Sequence, residues 1–367
     1  MDSEVKRKCN CNAKTLTWNV LDLGISYFNA RQNADRALIA QERRRKAIHN
    51  LVRETHRVWW RAVAAQLLRQ RVATGVAQAD RALASLQAAT SAGARNEVET
   101  LRLRKALLET LRQLESIDQE LRLAKTQLAA LTNLPPGAEI RLALPAGEML
   151  PPTLDLSVAR MEELAFENNP DIREQAYLSR IAVQETTKVL LQMLPGINLD
   201  TGLNQDLNHF LLNKHWYSYG ARLTSNLFNI LSAPDRLARA EDTKSLAEAR
   251  RLAIRMSVLG QVHVAWAQYL NARQQLRRAD ALWQAESGLE RHSLAQQRAD
   301  AMSEVERVQI QTAAIAAELR RYQVLGEVWV AHAMIEATLG KDKAWHVAAL
   351  APESPAAAAA EPHETVR

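Results

Sequence analysis

The sequence predicts a mainly α fold of long antiparallel helical hairpins into which β-hairpin strands are set. Three observations lead there. Residues 27–90 and 236–299 carry no proline and, between them, only Gly75, Gly260 and Gly288. Over residues 197–228 the apolar period changes from about 3.6 to about 2. At a shift of 207 residues (266 − 59), ordered blocks of the second half fall on the first without a gap.

That internal repeat organises the chain. Leu16-Thr17-x-Asn19 falls on Leu223-Thr224-x-Asn226, Arg43-Arg44 on Arg250-Arg251, and His56-x-x-Trp59 on His263-x-x-Trp266. Ala94-x-x-Glu97-Val98-Glu99 falls on Ala301-x-x-Glu304-Val305-Glu306. The expected order is a leader over 1–14, a first copy over 15–131, a proline-rich connection over 132–170, a second copy over 171–340, and a disordered tail over 341–367.

In the first copy a strand over 15–23 leads to a long helix beginning near Ser26. At the α-helical rise, each long proline-free stretch could reach about 95 Å. Leu101, Leu108, Leu111, Leu114, Ile117 and Leu121 recur at three and four spacing or its multiples, which predicts helices packed side by side in coiled-coil fashion. Gly93 suits a left-handed helix end, and Asn96 with Glu99 at the capping-box position suits the start of the next helix. Ser303 and Glu306 repeat the device in the second copy, with Asp300 where the first has glycine. Each copy thus ends in a helix–turn–helix tip, which as a plain αα-turn needs no ligand. Between the copies, Leu134-Pro135-Pro136-Gly137 opens an irregular excursion, followed by shorter helices over 157–167 and 171–193.

After Pro195-Gly196 the alternation begins. Ile197, Leu199, Thr201 and Leu203 share one face, against Asn198, Asp200, Gly202, Asn204 and Asp206 on the other. Past a loop over 208–216, Tyr217, Tyr219, Ala221 and Leu223 alternate with Ser218, Gly220, Arg222, Thr224 and Asn226. Strands of this length cross a bilayer at a tilt, yet a half-buried soluble sheet alternates in the same way. The charges of the polar face suit a watery lumen; Tyr217 and Tyr219, with Trp216 at the loop, suit an interfacial aromatic girdle. One hairpin cannot close a barrel, so a membrane role requires several chains to share one.

Composition narrows the function classes. The net charge is +6, but 47 basic and 41 acidic side chains are interleaved, as on solvated helix faces rather than a nucleic-acid footprint. Arg43-Arg44-Arg45-Lys46 lies in a helical pattern with no aromatic platform beside it. Cys9 and Cys11 make neither a disulfide framework nor a zinc site, for which a second ligand pair would be needed. The histidines are scattered without metal or triad spacing; His56, His263, Trp59, Trp60 and Trp266 read as helix-packing groups. No cofactor, metal or catalytic residue is expected.

Long helix, strand hairpin and long helix, given twice around a proline-rich middle, resembles the TolC-like outer-membrane efflux family. The matches are Asn169-Pro170-Asp171-Ile172, Leu194-Pro195-Gly196, Leu223-Thr224-Ser225-Asn226-Leu227-Phe228, and Asp300-Ala301-Met302-Ser303-Glu304-Val305-Glu306. The resemblance implies a homotrimer in outer-membrane lipid, each chain giving four strands to one twelve-stranded β-barrel that a periplasmic α-barrel continues. It implies a passive exit duct, not an enzyme, whose tips dock a periplasmic adaptor coupled to an inner-membrane pump. Asn198, Asp200, Asn204, Asp206, Ser218, Arg222, Thr224 and Asn226 would face the lumen. Gly93, Asn96, Glu99, Asp300, Ser303 and Glu306 would form the docking tips. Subtracting 207 from Asn169 gives −38, so the first copy is expected to lack its opening helix, first strand and export signal. The alternatives are a soluble helical-hairpin scaffold, which has no need of the hairpin over 197–228, or a non-functional truncated remnant.

Overall fold

The computed structural model describes residues 11–91, 97–135, 140–144, 149–206, 212–213, 215–224, 231–298 and 302–341. Gly93, Asn96, Asp300 and Asn226 lie outside these. In chain order the elements are β1 (Cys11–Asn19), α1 (Val20–Ser91), α2 (Glu97–Leu131), α3 (Val158–Asn168), α4 (Pro170–Met193), β2 (Gly196–Asp206), β3 (His215–Thr224), α5 (Ala233–Arg298) and α6 (Glu304–Thr338).

The helix boundaries follow from local capping. Asn19 accepts a hydrogen bond from the Leu21 amide at 2.9 Å, and so ends β1 and starts α1 at Val20. This corrects the expected boundaries: the strand runs from Cys11 to Asn19 instead of 15–23, and the helix begins before Ser26. β1 also has a partner, since it pairs with β2 from the second half of the chain. Ser157 caps α3, Asn169 caps α4 ahead of Pro170, and Ser303 caps α6 by accepting from the Glu306 amide at 3.2 Å. α2 and α6 close alike. The Asn133 and Leu134 amides return to Ala130 and Ala129 carbonyls, while the Gly340 and Lys341 amides return to Ala337 and Glu336. Asn133 and Gly340 are the left-handed residues these closures require, with φ of 56° and 61°.

Four helices lie side by side in the order α2, α1, α6, α5; α4 bridges α1 and α5 nearer the strands, and α3 rests on α5. Their buried residues keep a heptad rhythm. Ala65, Leu68, Val72, Ala79, Ala82 and Leu86 line α1; Leu114, Ile117, Leu121, Ala124 and Leu128 line α2; Val258, Val262, Ala265, Tyr269, Ala272 and Leu276 line α5. Such spacing keeps one seam facing its neighbour along the whole contact. On α2 the seam passes through Thr100, Leu107, Thr110 and Leu111, leaving Leu101 and Leu108 exposed, contrary to their expected core positions.

The centre of the bundle is aromatic. Trp60 is buried, Trp59 packs edge-on against it, Trp266 and Tyr269 meet at a tilt, and Tyr269 stands edge-on to His332 of α6. His56 stacks on Trp329 with ring centroids 5.0 Å apart, and His263 meets Glu162 at 2.8 Å. The connection between α2 and α3 is pinned across this belt: the Gln66 amide exchanges two hydrogen bonds with the Leu142 backbone, and Trp329 Nε1 donates to the Met149 carbonyl.

Candidate functional site

β1, β2 and β3 form one antiparallel sheet in that order. Asn198 faces Arg222, Asp200 faces Gly220, Gly202 faces Ser218 and Asn204 faces Trp216 on β3. Thr17, Thr15 and Ala13 of β1 face Asp200, Gly202 and Asn204 on the other side. Because side chains alternate along a strand, this register collects the polar residues of three strands on one face. The opposite face carries Leu16 and Trp18; Ile197, Leu199, Thr201 and Leu203; and Tyr217, Tyr219, Ala221 and Leu223, with the exposed Lys14 opposite Leu203 toward its loop end.

The polar face is organised by hydrogen bonds across the strands. Asn198 Nδ2 donates to Thr224 Oγ1 at 3.1 Å, and Asn204 Nδ2 to Ser218 Oγ at 3.0 Å. Two glycines make room for their neighbours. A Cβ on Gly202 would stand 2.7 Å from Ser218 Oγ, and one on Gly220 would stand 2.7 Å from Asp200 Oδ1, both inside contact distance. The Asp200 carboxylate therefore lies across Gly220. Asp206 closes β2, with its side chain outside those described.

The apolar face is open. Tyr219 is 81% exposed, Tyr217 70% and Leu223 68%, and no described part of the chain covers them. Trp216 does not join the two tyrosines. It belongs to β3 rather than to the loop, and alternation turns it to the polar side, opposite Asn204.

At the far end of α1 and α5 stand the tips. Glu97 and Glu99 occupy the first turn of α2, Glu304 and Glu306 that of α6, where the helix dipole favours acids. A groove of about 350 Å³ opens beside the first tip, lined by Leu83, Leu86, Thr90, Glu97, Leu101 and Arg104. Gly93, Asn96 and Asp300 fall outside the described residues.

Between sheet and tips the structure brings together residues that the sequence did not single out. Gln32, Asp35, Ile39 and Glu42 of α1 are buried at heptad spacing against α4, but three of the four are polar. Asp35 accepts from Nε and Nη2 of Arg180 and from the Gln184 amide; Gln32 donates to Glu185 at 2.9 Å. Burial alone would raise the Glu185 carboxyl, but hydrogen bonds from Gln32 and Lys188 hold it below its ordinary value. Arg43 and Lys46 of the basic run are engaged by Glu174 and Asp171 of α4, and Arg45 by Glu42. Asp171 and Glu174, three apart on α4 opposite the basic run of α1, are the signal that a pairwise reading of the two helices would have found.

Among the described residues, no group of three His, Cys, Asp or Glu side chains comes together as a metal site would need. No described helix is long and apolar enough to cross a membrane.

No family model and no curated protein matches the chain. Solved structures do. The outer-membrane channel OprN superposes with a TM-score of 0.68 at 16% identity, over 90% of this chain and 80% of that one. The CmeC outer membrane channel of Campylobacter jejuni gives 0.68 at 12% identity, over 89% of this chain and 70% of that one. The open state of the MtrE outer membrane channel of Neisseria gonorrhoeae gives 0.59 at 16% identity, over 89% and 79%.

Proposed function

We propose that this chain, which has the fold of TolC-family outer-membrane efflux channels, is a subunit of such an exit duct and passes substrates outward without chemistry. The observation that carries the reading is the two-faced sheet, apolar and uncovered on one side and polar and cross-bonded on the other. Lipid on the first face and water on the second account for both. A soluble scaffold has no use for a sheet whose apolar face is left to water.

Three further features support the details. β1 and β3 each leave one edge of backbone groups unpaired within the sheet, and lipid cannot satisfy such edges. Several copies closing one barrel would pair them, and a homotrimer is the assembly we adopt. Equivalent points of the two halves keep one spacing: α2 and α6 start and end 207 residues apart (304 − 97; 338 − 131), as do Asn133 and Gly340 (340 − 133). This supports reading the chain as a tandem repeat of strand, long helix, tip and returning helix. α1, at 72 residues, is about 110 Å long, enough to carry a duct well beyond a bilayer. Its tips, with Glu99, Ser303 and Glu306 at or near the surface, are the surface we assign to a periplasmic adaptor, and through it to an inner-membrane pump.

Cysteine scanning in outer-membrane vesicles tests the reading. Cysteines at Asn198, Asn204, Ser218 and Thr224 should react with a membrane-impermeant thiol reagent, while those at Leu199, Leu203 and Leu223 should be protected. Equal labelling of the two faces would rule out the barrel wall.

A further inference from the structure

We infer that Asp200 and Arg222 set the charge selectivity of the duct, as two neighbouring rings of opposite sign on its polar wall. The inference rests on the channel reading above. Among the described side chains of the polar face these two are the ionisable ones; the rest are Ala, Thr, Asn, Ser and Trp. The neutral groups are largely engaged with one another across the strands, Asn198 with Thr224 and Asn204 with Ser218. The two charges are not engaged in that way. In register Asp200 faces Gly220 and Arg222 faces Asn198, so they stand on a diagonal, and the carboxylate lies over the bare backbone of Gly220. Diagonal neighbours in a sheet are about 7–8 Å apart.

That spacing decides how the rings act. It is within the Debye length of about 8–10 Å at physiological salt, so the two fields overlap and largely cancel in the native protein. Each copy in a shared barrel repeats both charges at the same height, and a low-dielectric wall strengthens what each ring exerts on a passing ion. Removing one ring therefore unmasks the other.

Single-channel recording across a KCl gradient tests this. Asp200→Asn should shift the reversal potential toward the chloride equilibrium value, Arg222→Gln toward that of potassium, and the double variant should return toward the native one. Asn204→Asp, which adds an acid to the same face and removes no charge, should shift toward potassium and keeps the test available if either single variant assembles poorly. The shifts should shrink in about 1 M salt, where the Debye length is about 3 Å. Channels that form in all variants with one unchanged reversal potential would overturn this inference and leave the channel reading standing. No conductance from the native protein would overturn both.

Discussion

At Gly340 a single missing side chain lets three helix ends meet. Its φ of 61° closes α6, its carbonyl accepts from Arg45 at 3.1 Å, and a Cβ there would overlap the Asn168 carbonyl at the end of α3. Asn169 joins the same knot by capping α4 and donating to the Thr338 carbonyl at 2.9 Å. Gly340→Ala should therefore cost more than the roughly 1–2 kcal/mol of a left-handed backbone alone, because the overlap adds to it. Asn133, in the matching closure of α2, already accommodates a Cβ, so Asn133→Gly should change stability by less than about 1 kcal/mol. Thermal melting of the two variants in detergent measures the contrast; equal losses would show that backbone conformation alone matters at Gly340. The knot illustrates why some of the structure is not legible locally. Ser157, Asn169 and Ser303 declare themselves as caps because their partners lie within three residues, whereas Arg45 and Gly340 are 295 residues apart.

Along α1 the chemistry of the seam changes with height. From Ala65 to Leu86 it is apolar, facing α2 and α6; from Gln32 to Glu42 it is mostly polar, facing α4. Glu185 of α4, bonded to Gln32 of that stretch, responds to pH. Because the folded-state value of Glu185 lies below its ordinary 4.5, its contribution is present at neutral pH and is lost as pH falls below that ordinary value toward the folded one. The side chain is 49% exposed, so solvent screening keeps the effect small. Melting temperature measured downward from neutral pH should drop through the carboxylate range, and Glu185→Gln should remove part of that drop; an unchanged profile would assign it to other acids. The helices are legible in the sequence, but this seam is not. An a/d pattern filled by Gln, Asp and Glu looks like a solvated face until the basic face of α4 is laid against it. The strands were easier, since a period of two holds regardless of partner. Their ends were not: β1 starts at Cys11 among residues of little β-propensity, and its pairing with β2 across more than 170 residues holds it in the sheet.

For the whole molecule, the open edges of β1 and β3 and the open apolar face make one expectation. In detergent the protein should sediment as a trimer, and analytical ultracentrifugation decides it; a stable monomer with intact strand content would refute the shared barrel. The order of strands and long helices could be read from the sequence because prolines, glycines and a change of period mark its boundaries, whereas the direction in which Trp216 points could not, since it turns on where a loop ends. The paired lengths of the two halves carry one more consequence. α2 and α6 are both 35 residues, and each begins a few residues after its long partner ends. Deleting one helical turn from one arm would raise its tip by about 5.4 Å relative to the other. The coiled-coil seam would fall out of step at the same time, since about four residues are not a heptad. An insertion in one arm therefore keeps its seam in step with the neighbouring helix only when it comes in whole heptads.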